Sequence, residues 1–157
     1  MKKIILGIVF VLLTVFFVSN IFSHCQIPCG IYDDQMRISM IKEHIATIEK
    51  SMKEITALSR EGDKNYNQIV RWVVNKEAHA DELSEIVTFY FMTQRLKPVE
   101  QKDSNEYKEY LKKLTLLHEM LIFTMNAKQT TDLANVEKLR SLTEDFSKVY
   151  FEHNSSH

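Results

Sequence analysis

Residues 24–32 read His-Cys-Gln-Ile-Pro-Cys-Gly-Ile-Tyr, and this stretch carries both cysteines of the 157-residue chain. A cut just before His24 gives that residue two nitrogen ligands, its free amine and its imidazole, beside the thiolates of Cys25 and Cys29. The peptide nitrogen between His24 and Cys25 can lose its proton to a strongly binding metal. Amine and amide nitrogen then close one five-membered chelate ring, and the amide nitrogen and the Cys25 thiolate close another. Cys29 completes a plane of two nitrogens and two sulfurs, and Pro28-Cys29-Gly30 helps the chain turn back. Planar nitrogen–sulfur sites suit nickel(II) or copper(II), whereas zinc prefers a tetrahedron and usually needs further side chains. The His24 imidazole can bind from above, and an axial nitrogen favours nickel(III). A ligand that comes and goes with oxidation state makes a redox catalyst.

The segment before this hook supplies the cut. Met1-Lys2-Lys3 is a short basic stretch, Ile4 to Val18 is continuously apolar apart from Gly7 and Thr14, and the polar Ser19-Asn20 and the small Ser23 follow. That is the architecture of a signal peptide over residues 1–23. Ile21, three positions before the cut, is larger than the usual small residue. The alternative is an uncleaved membrane anchor, because the stretch through Phe22 nearly reaches the ~20 residues that span a bilayer. A lipoprotein cut before Cys25 is disfavoured, since His24 sits where a small residue belongs. Cleavage implies periplasmic or extracellular action; the anchor implies a membrane-anchored precursor, with membrane contact only through the leader. Two cysteines in an exported chain also suggest a disulfide. A Cys25–Cys29 bridge closes so small a loop that it contributes little stability.

Charge excludes one large class of partner. The chain has 20 Lys+Arg and 21 Asp+Glu; losing Lys2 and Lys3 with the leader leaves 18 against 21, a net of −3. No basic run with interleaved aromatics appears, so nucleic-acid binding has no support. Removal of 23 residues leaves 134, enough for one domain with a real core.

The elements that must carry the hook are helical. Glycine and proline number three and two, and outside the leader and the hook they fall in connections, Gly62 and Pro98. Asp33 or Asp34 can cap a first helix with the stripe Ile38, Ile41, Ile45, Ile48, Met52 and Ile55, ended by Glu61-Gly62-Asp63. A second runs from about Asn65 to Leu96, with Ile69, Val73, Ala80, Leu83, Val87 and Tyr90 inward and Trp72, Ile86 and Phe91 widening the face. Lys97-Pro98 stops it. Asp103 or Ser104 can cap a third, with the stripe Tyr107, Leu111, Leu114, Leu117, Leu121 and Met125. Lys128 to Thr131 reads as a turn. The fourth carries Leu133, Val136, Leu139, Phe146, Val149 and Tyr150. The expectation for residues 33–157 is an all-α, antiparallel up-down four-helix bundle.

A bundle can house a di-iron centre, but that requires Glu-x-x-His pairs, and the helices have none. His44, His79 and His118 lie on three different helices. They read as scattered surface or interfacial histidines, because no acidic partner stands at ligand spacing. No Gly-rich phosphate loop and no nucleophile elbow is visible.

The nine residues 24–32 resemble the nickel hook of the nickel-containing superoxide dismutases, His-Cys-x-x-Pro-Cys-Gly-x-Tyr at a mature N-terminus, and match all six specified positions. The resemblance continues through Arg71, Lys76-Glu77 and Lys97-Pro98. It implies a small four-helix bundle that disproportionates superoxide to dioxygen and hydrogen peroxide by cycling nickel between its divalent and trivalent states. It implies His24, Cys25 and Cys29 as nickel ligands, Tyr32 as the residue screening the open face of the metal, and Lys97 as a lysine that draws the anion inward. It also implies a cis peptide bond before Pro28, a homo-hexamer, a leader peptidase and a nickel-insertion factor.

The chain departs from that pattern in places. Gln26 stands where the family often has aspartate. Ser39 and His79 fall near the positions of a glutamate and an arginine that orient the histidine ring, with Glu43 and Glu77 as possible substitutes. Two other readings compete: a nickel or copper carrier without turnover, and a helical adaptor with a Cys25–Cys29 disulfide. Tyr32 and the axial histidine favour the enzyme, since a carrier needs neither.

Overall fold

The helices begin and end where local chemistry dictates. The computed structural model describes residues 33–100 and 104–154. Asp33 is in an extended conformation and its carboxylate accepts the Gln35 backbone N–H at 2.8 Å, capping α1, Asp34–Ser59. After α1 the chain passes through Gly62 at φ +74°, a left-handed conformation that favours glycine, into a short 3-10 turn, Gly62–Asn65. The second helix, α2, runs over Tyr66–Glu85 and continues without a break as a π-helix, Ile86–Arg95. Leu96 then turns extended. Ser104 is the cap of α3, Asn105–Gln129, accepting from Tyr107 N at 3.1 Å. The last helix, α4, is Ala134–Asn154.

Among the described residues there is no strand, and the four helices form the expected bundle. The α1–α2 and α3–α4 pairs make the most extensive contacts, and α1–α4 and α2–α3 packing closes the bundle. Their order and short connections put the start of α1, the π-helix, the start of α3 and the end of α4 at one end. None of the described helices is long and apolar enough to cross a membrane.

The core follows the α1 stripe closely. Ile38, Ile41, Ile45, Ile48 and Met52 are all buried, and Ile55 is half-buried. On α2 only the second half does so. Ala80, Leu83, Val87, Tyr90 and Phe91 are buried, while Val73 is exposed on a face it shares with Tyr66, Val70 and Val74. The α3 stripe is out of phase with expectation. Leu117, Met120, Thr124 and Ala127 are buried, whereas Leu111 and Met125 are exposed and Leu114 and Leu121 pack half-buried at the margin. Thr124 enters the core without an unmet polar group because its hydroxyl donates to Met120 O at 2.7 Å. Thr143 on α4 does the same with Leu139 O at 2.7 Å.

A buried lysine closes the far end of α3. Lys76 is 4 % exposed, and its ammonium donates to the carbonyls of Ala127 at 2.9 Å, Thr130 at 3.1 Å and Lys128. These are orphan acceptors of a helix C-terminus, where a positive charge also meets the negative end of the helix dipole. Burial lowers the Lys76 pKa, opposed by the neighbouring Glu77. Lys128 and Gln129, expected in a turn, extend α3 by its last residues instead, held over Lys76.

Candidate metal centre

The chain enters the bundle at Asp33, and the sequence places Tyr32 immediately before it. The next side chain, Asp34, is gripped from three sides. Arg95 Nε donates to Oδ1 at 2.8 Å, the Tyr90 hydroxyl donates to the same oxygen, and the Tyr150 hydroxyl donates to Oδ2 at 2.7 Å. Arg95 also donates to the Tyr90 oxygen at 2.7 Å and lies over the Tyr90 ring, 4.6 Å from its centroid. One carboxylate thus joins α1, the π-helix and α4.

The π-helix makes this possible. Residues five apart stack on a π-helix, so Arg95 sits above Tyr90. The widened turns are met by Thr93 Oγ1 donating to Thr88 O at 2.8 Å, by Gln94 Nε2 donating to Phe89 O at 2.9 Å, and by Leu96 N donating to Phe91 O at 2.9 Å. Beneath the carboxylate lies an aromatic cluster. Phe91 meets Phe146 edge-on at 5.0 Å and Tyr150 at 5.5 Å. Burial alone would raise the Asp34 carboxyl, but hydrogen bonds from Tyr90, Tyr150 and Arg95, with the guanidinium charge, outweigh it and hold the group below its ordinary value. Tyr150 is pushed well up by its burial and by the bond it gives Asp34.

Lys97, two residues beyond Arg95, is exposed and lines a groove of about 280 Å³ with Arg95, Val99, Glu106, Tyr110 and Lys113. Tyr150 lines the same groove and bonds Asp34, so Lys97 stands at the end of the bundle where the chain enters from the hook. His24, Cys25, Cys29 and Tyr32 lie outside the described residues, as do Gln26 and Pro28. Their fit to a metal rests on the donors: two thiolates, an amide, an amine and an imidazole are a set that nickel accepts.

The bundle also joins residues that sequence reading left scattered. His44 of α1 and His79 of α2 face each other, with the Glu82 carboxylate beside both, and their donor atoms all lie within 4.8 Å of one another. The expectation that no acidic partner stands at ligand spacing is therefore corrected: Glu82 is three residues, nearly one helical turn, beyond His79. The available signal was this His-x-x-Glu spacing, the reverse of the Glu-x-x-His order sought. Burial holds the His44 pKa below its ordinary value, against the opposite pull of Glu82. His118 is exposed and stands apart from this group. Ser39 is exposed and donates to Gln35 O at 3.0 Å. Glu77 faces Lys128 at 3.4 Å and Lys76 at 3.8 Å, so its charge serves the end of α3. Glu43 is exposed and acts on His44 through its charge.

A family model described as nickel-containing superoxide dismutase matches residues 19–154, a span that includes the hook and all four helices. No match emerged among curated proteins or among solved structures.

The Asp34 junction predicts a pH-dependent stability. A carboxyl lowered by folding stabilises fully above its unfolded value, near 3.8, and loses that contribution as the pH falls through the lower folded value. Asp34→Asn keeps the shape and removes the charge. In chemical denaturation at pH 7 it is expected to lose about 2 kcal/mol, the scale of charge-assisted hydrogen bonds discounted for partial exposure. The gap to wild type should narrow below pH 4. A gap that stays constant with acid would contradict the assignment.

Proposed function

The chain belongs to the nickel-containing superoxide dismutase family, and from that premise we propose that its hook, freed by removal of residues 1–23, holds the metal through His24, Cys25 and Cys29. The enzyme converts superoxide to dioxygen and hydrogen peroxide, and its cofactor is nickel. The family match decides between turnover and mere carriage in favour of turnover. The observation that carries the residue assignment is the hook itself, which lies inside the matched span and supplies every donor that a planar nickel site needs.

Nickel, once held by the hook, would supply the electron chemistry of the dismutation. The chain does the rest. The thiolates of Cys25 and Cys29 and the amide between His24 and Cys25 would hold the metal and donate charge to it, which water ligands do not. His24 would hold the metal through its amine and imidazole nitrogens. Tyr32 would narrow access of the substrate to the metal. Lys97, exposed at the end where the chain enters the bundle, draws an anionic substrate toward a protein whose mature net charge is negative. The Asp34 junction supports this placement, because it fixes Arg95, two residues before Lys97, to Asp34, two residues after Tyr32.

The same reading makes residues 1–23 a signal peptide removed by a leader peptidase, places the mature protein in the periplasm or outside the cell, and calls for a nickel-insertion factor. A homo-hexamer is part of the proposal. The exposed apolar side chains Tyr66, Val70 and Val74 on α2 support burial of that face between copies.

Two measurements test the site. Cys25→Ser replaces a thiolate by a hydroxyl, so nickel affinity and dismutation should fall by more than about 100-fold, beyond the roughly 10–100-fold typical of losing an outer partner. Retention of the trivalent nickel spectrum in that variant would oppose the ligand set. The wild-type rate should fall with ionic strength, and less steeply in Lys97→Ala, because salt screens steering. Parallel salt slopes would remove Lys97 from the mechanism.

A further inference from the structure

Two imidazoles and a carboxylate converge midway along the bundle, away from the Asp34 junction. His44 is ten residues beyond Asp34 on α1, roughly 15 Å along the helix axis. Its Nδ1 lies 2.9 Å from Nδ1 of His79 on α2. The Glu82 carboxylate oxygen is 3.4 Å from the first nitrogen and 3.7 Å from the second. The ring planes are tilted by 48° with centroids 5.2 Å apart, so the rings meet at their nitrogens and not face to face. We propose that His44, His79 and Glu82 form a second metal site, for a zinc-like divalent ion, with a donor set of its own.

The distances carry the argument. With zinc–nitrogen bonds of about 2.0–2.1 Å, neighbouring corners of a tetrahedron stand about 3.3 Å apart. The three donor separations here straddle that value. A hydrogen bond between two neutral imidazoles accounts for the 2.9 Å separation alone. It does not account for a carboxylate oxygen within reach of both nitrogens, whereas one ion at the centre engages all three. Two imidazoles and a carboxylate are also a set that zinc takes when it keeps a fourth position open. Glu82 is 57 % exposed on its side chain, which leaves that position facing solvent. His44 is buried and held on the rigid α1–α2 interface, so the site is largely formed before the ion arrives. The carboxylates of Glu82 and Glu43 act on His44 with negative charge, which favours a cation. The donor set also differs from the hook's. It holds no sulfur, so a harder or tetrahedral ion is favoured here, and nickel is retained by the thiolates.

The test uses the mature chain without an affinity tag and zinc chloride as the probe. Cys25→Ser/Cys29→Ser removes the hook's sulfurs. By calorimetric titration this double variant should still bind one zinc ion per chain, and X-ray absorption should show nitrogen and oxygen neighbours with two imidazoles. Adding His79→Ala should abolish that binding, and Glu82→Gln should weaken it at least several-fold. Both are partly or largely exposed, so the fold is expected to survive, and circular dichroism checks it. Zinc binding that disappears with the hook cysteines, or that survives His79→Ala unchanged, would overturn the proposal. Because the readout is made without the thiolates, loss of the nickel assignment leaves this result interpretable.

Discussion

The carboxylate of Asp34 is the contact on which the arrangement rests. It sits at the start of α1, where the described chain enters the bundle. Asp34 is the second residue after the hook, and it is held by a guanidinium from the π-helix and hydroxyls from the π-helix and α4. The same guanidinium lies two residues before Lys97. One ion pair with its hydrogen bonds therefore registers two segments, the start of α1 and the chain that carries Lys97. The aromatic cluster of Phe91, Phe146 and Tyr150 beneath it makes the junction stiff, since an edge-on ring cannot slide without opening a void.

The bundle divides its tasks along its length. The entry end holds the charged junction and the groove beside Lys97. The middle is the α1 isoleucine stripe against Ala80, Leu83 and Val87. Toward the other end, Lys76 gathers the last carbonyls of α3, and Arg140 pairs with Glu49 to tie α4 to α1. Ions are thus placed where helices end or cross, and the apolar stripe between them supplies most of the folding energy.

The legible parts of the sequence were those coded locally. The hook's donors lie within six residues, so their chemistry can be read without a fold. Helix limits at Asp33, Gly62, Pro98 and Ser104 follow from capping and backbone restrictions of single residues. The α1 stripe was right because isoleucine and methionine dominate its inner face, with His44 and Ser51 as the polar exceptions. The α3 stripe slipped because Leu111, Leu114 and Leu121 outscore the Thr124 and Ala127 that the core takes, and a threonine bonded to its own helix buries without penalty. The π-helix was unreadable. No glycine or proline marks it, and the single hint is a run of β-branched and aromatic residues from Ile86 to Phe91 with weak helical preference. The His44–His79–Glu82 group depends on the register between α1 and α2, which no local pattern encodes. Lys76 looked like any surface lysine until α3 ended above it.

The central claim is that activity belongs to a chain whose first residue is His24, because only a free amine there completes the planar donor set. Intact mass and N-terminal sequencing of the active, nickel-loaded protein test it directly, with superoxide consumption measured on the same sample. The expected result is a chain beginning at His24 that accounts for all of the turnover. Comparable turnover by a chain still carrying residues 1–23 would contradict the account.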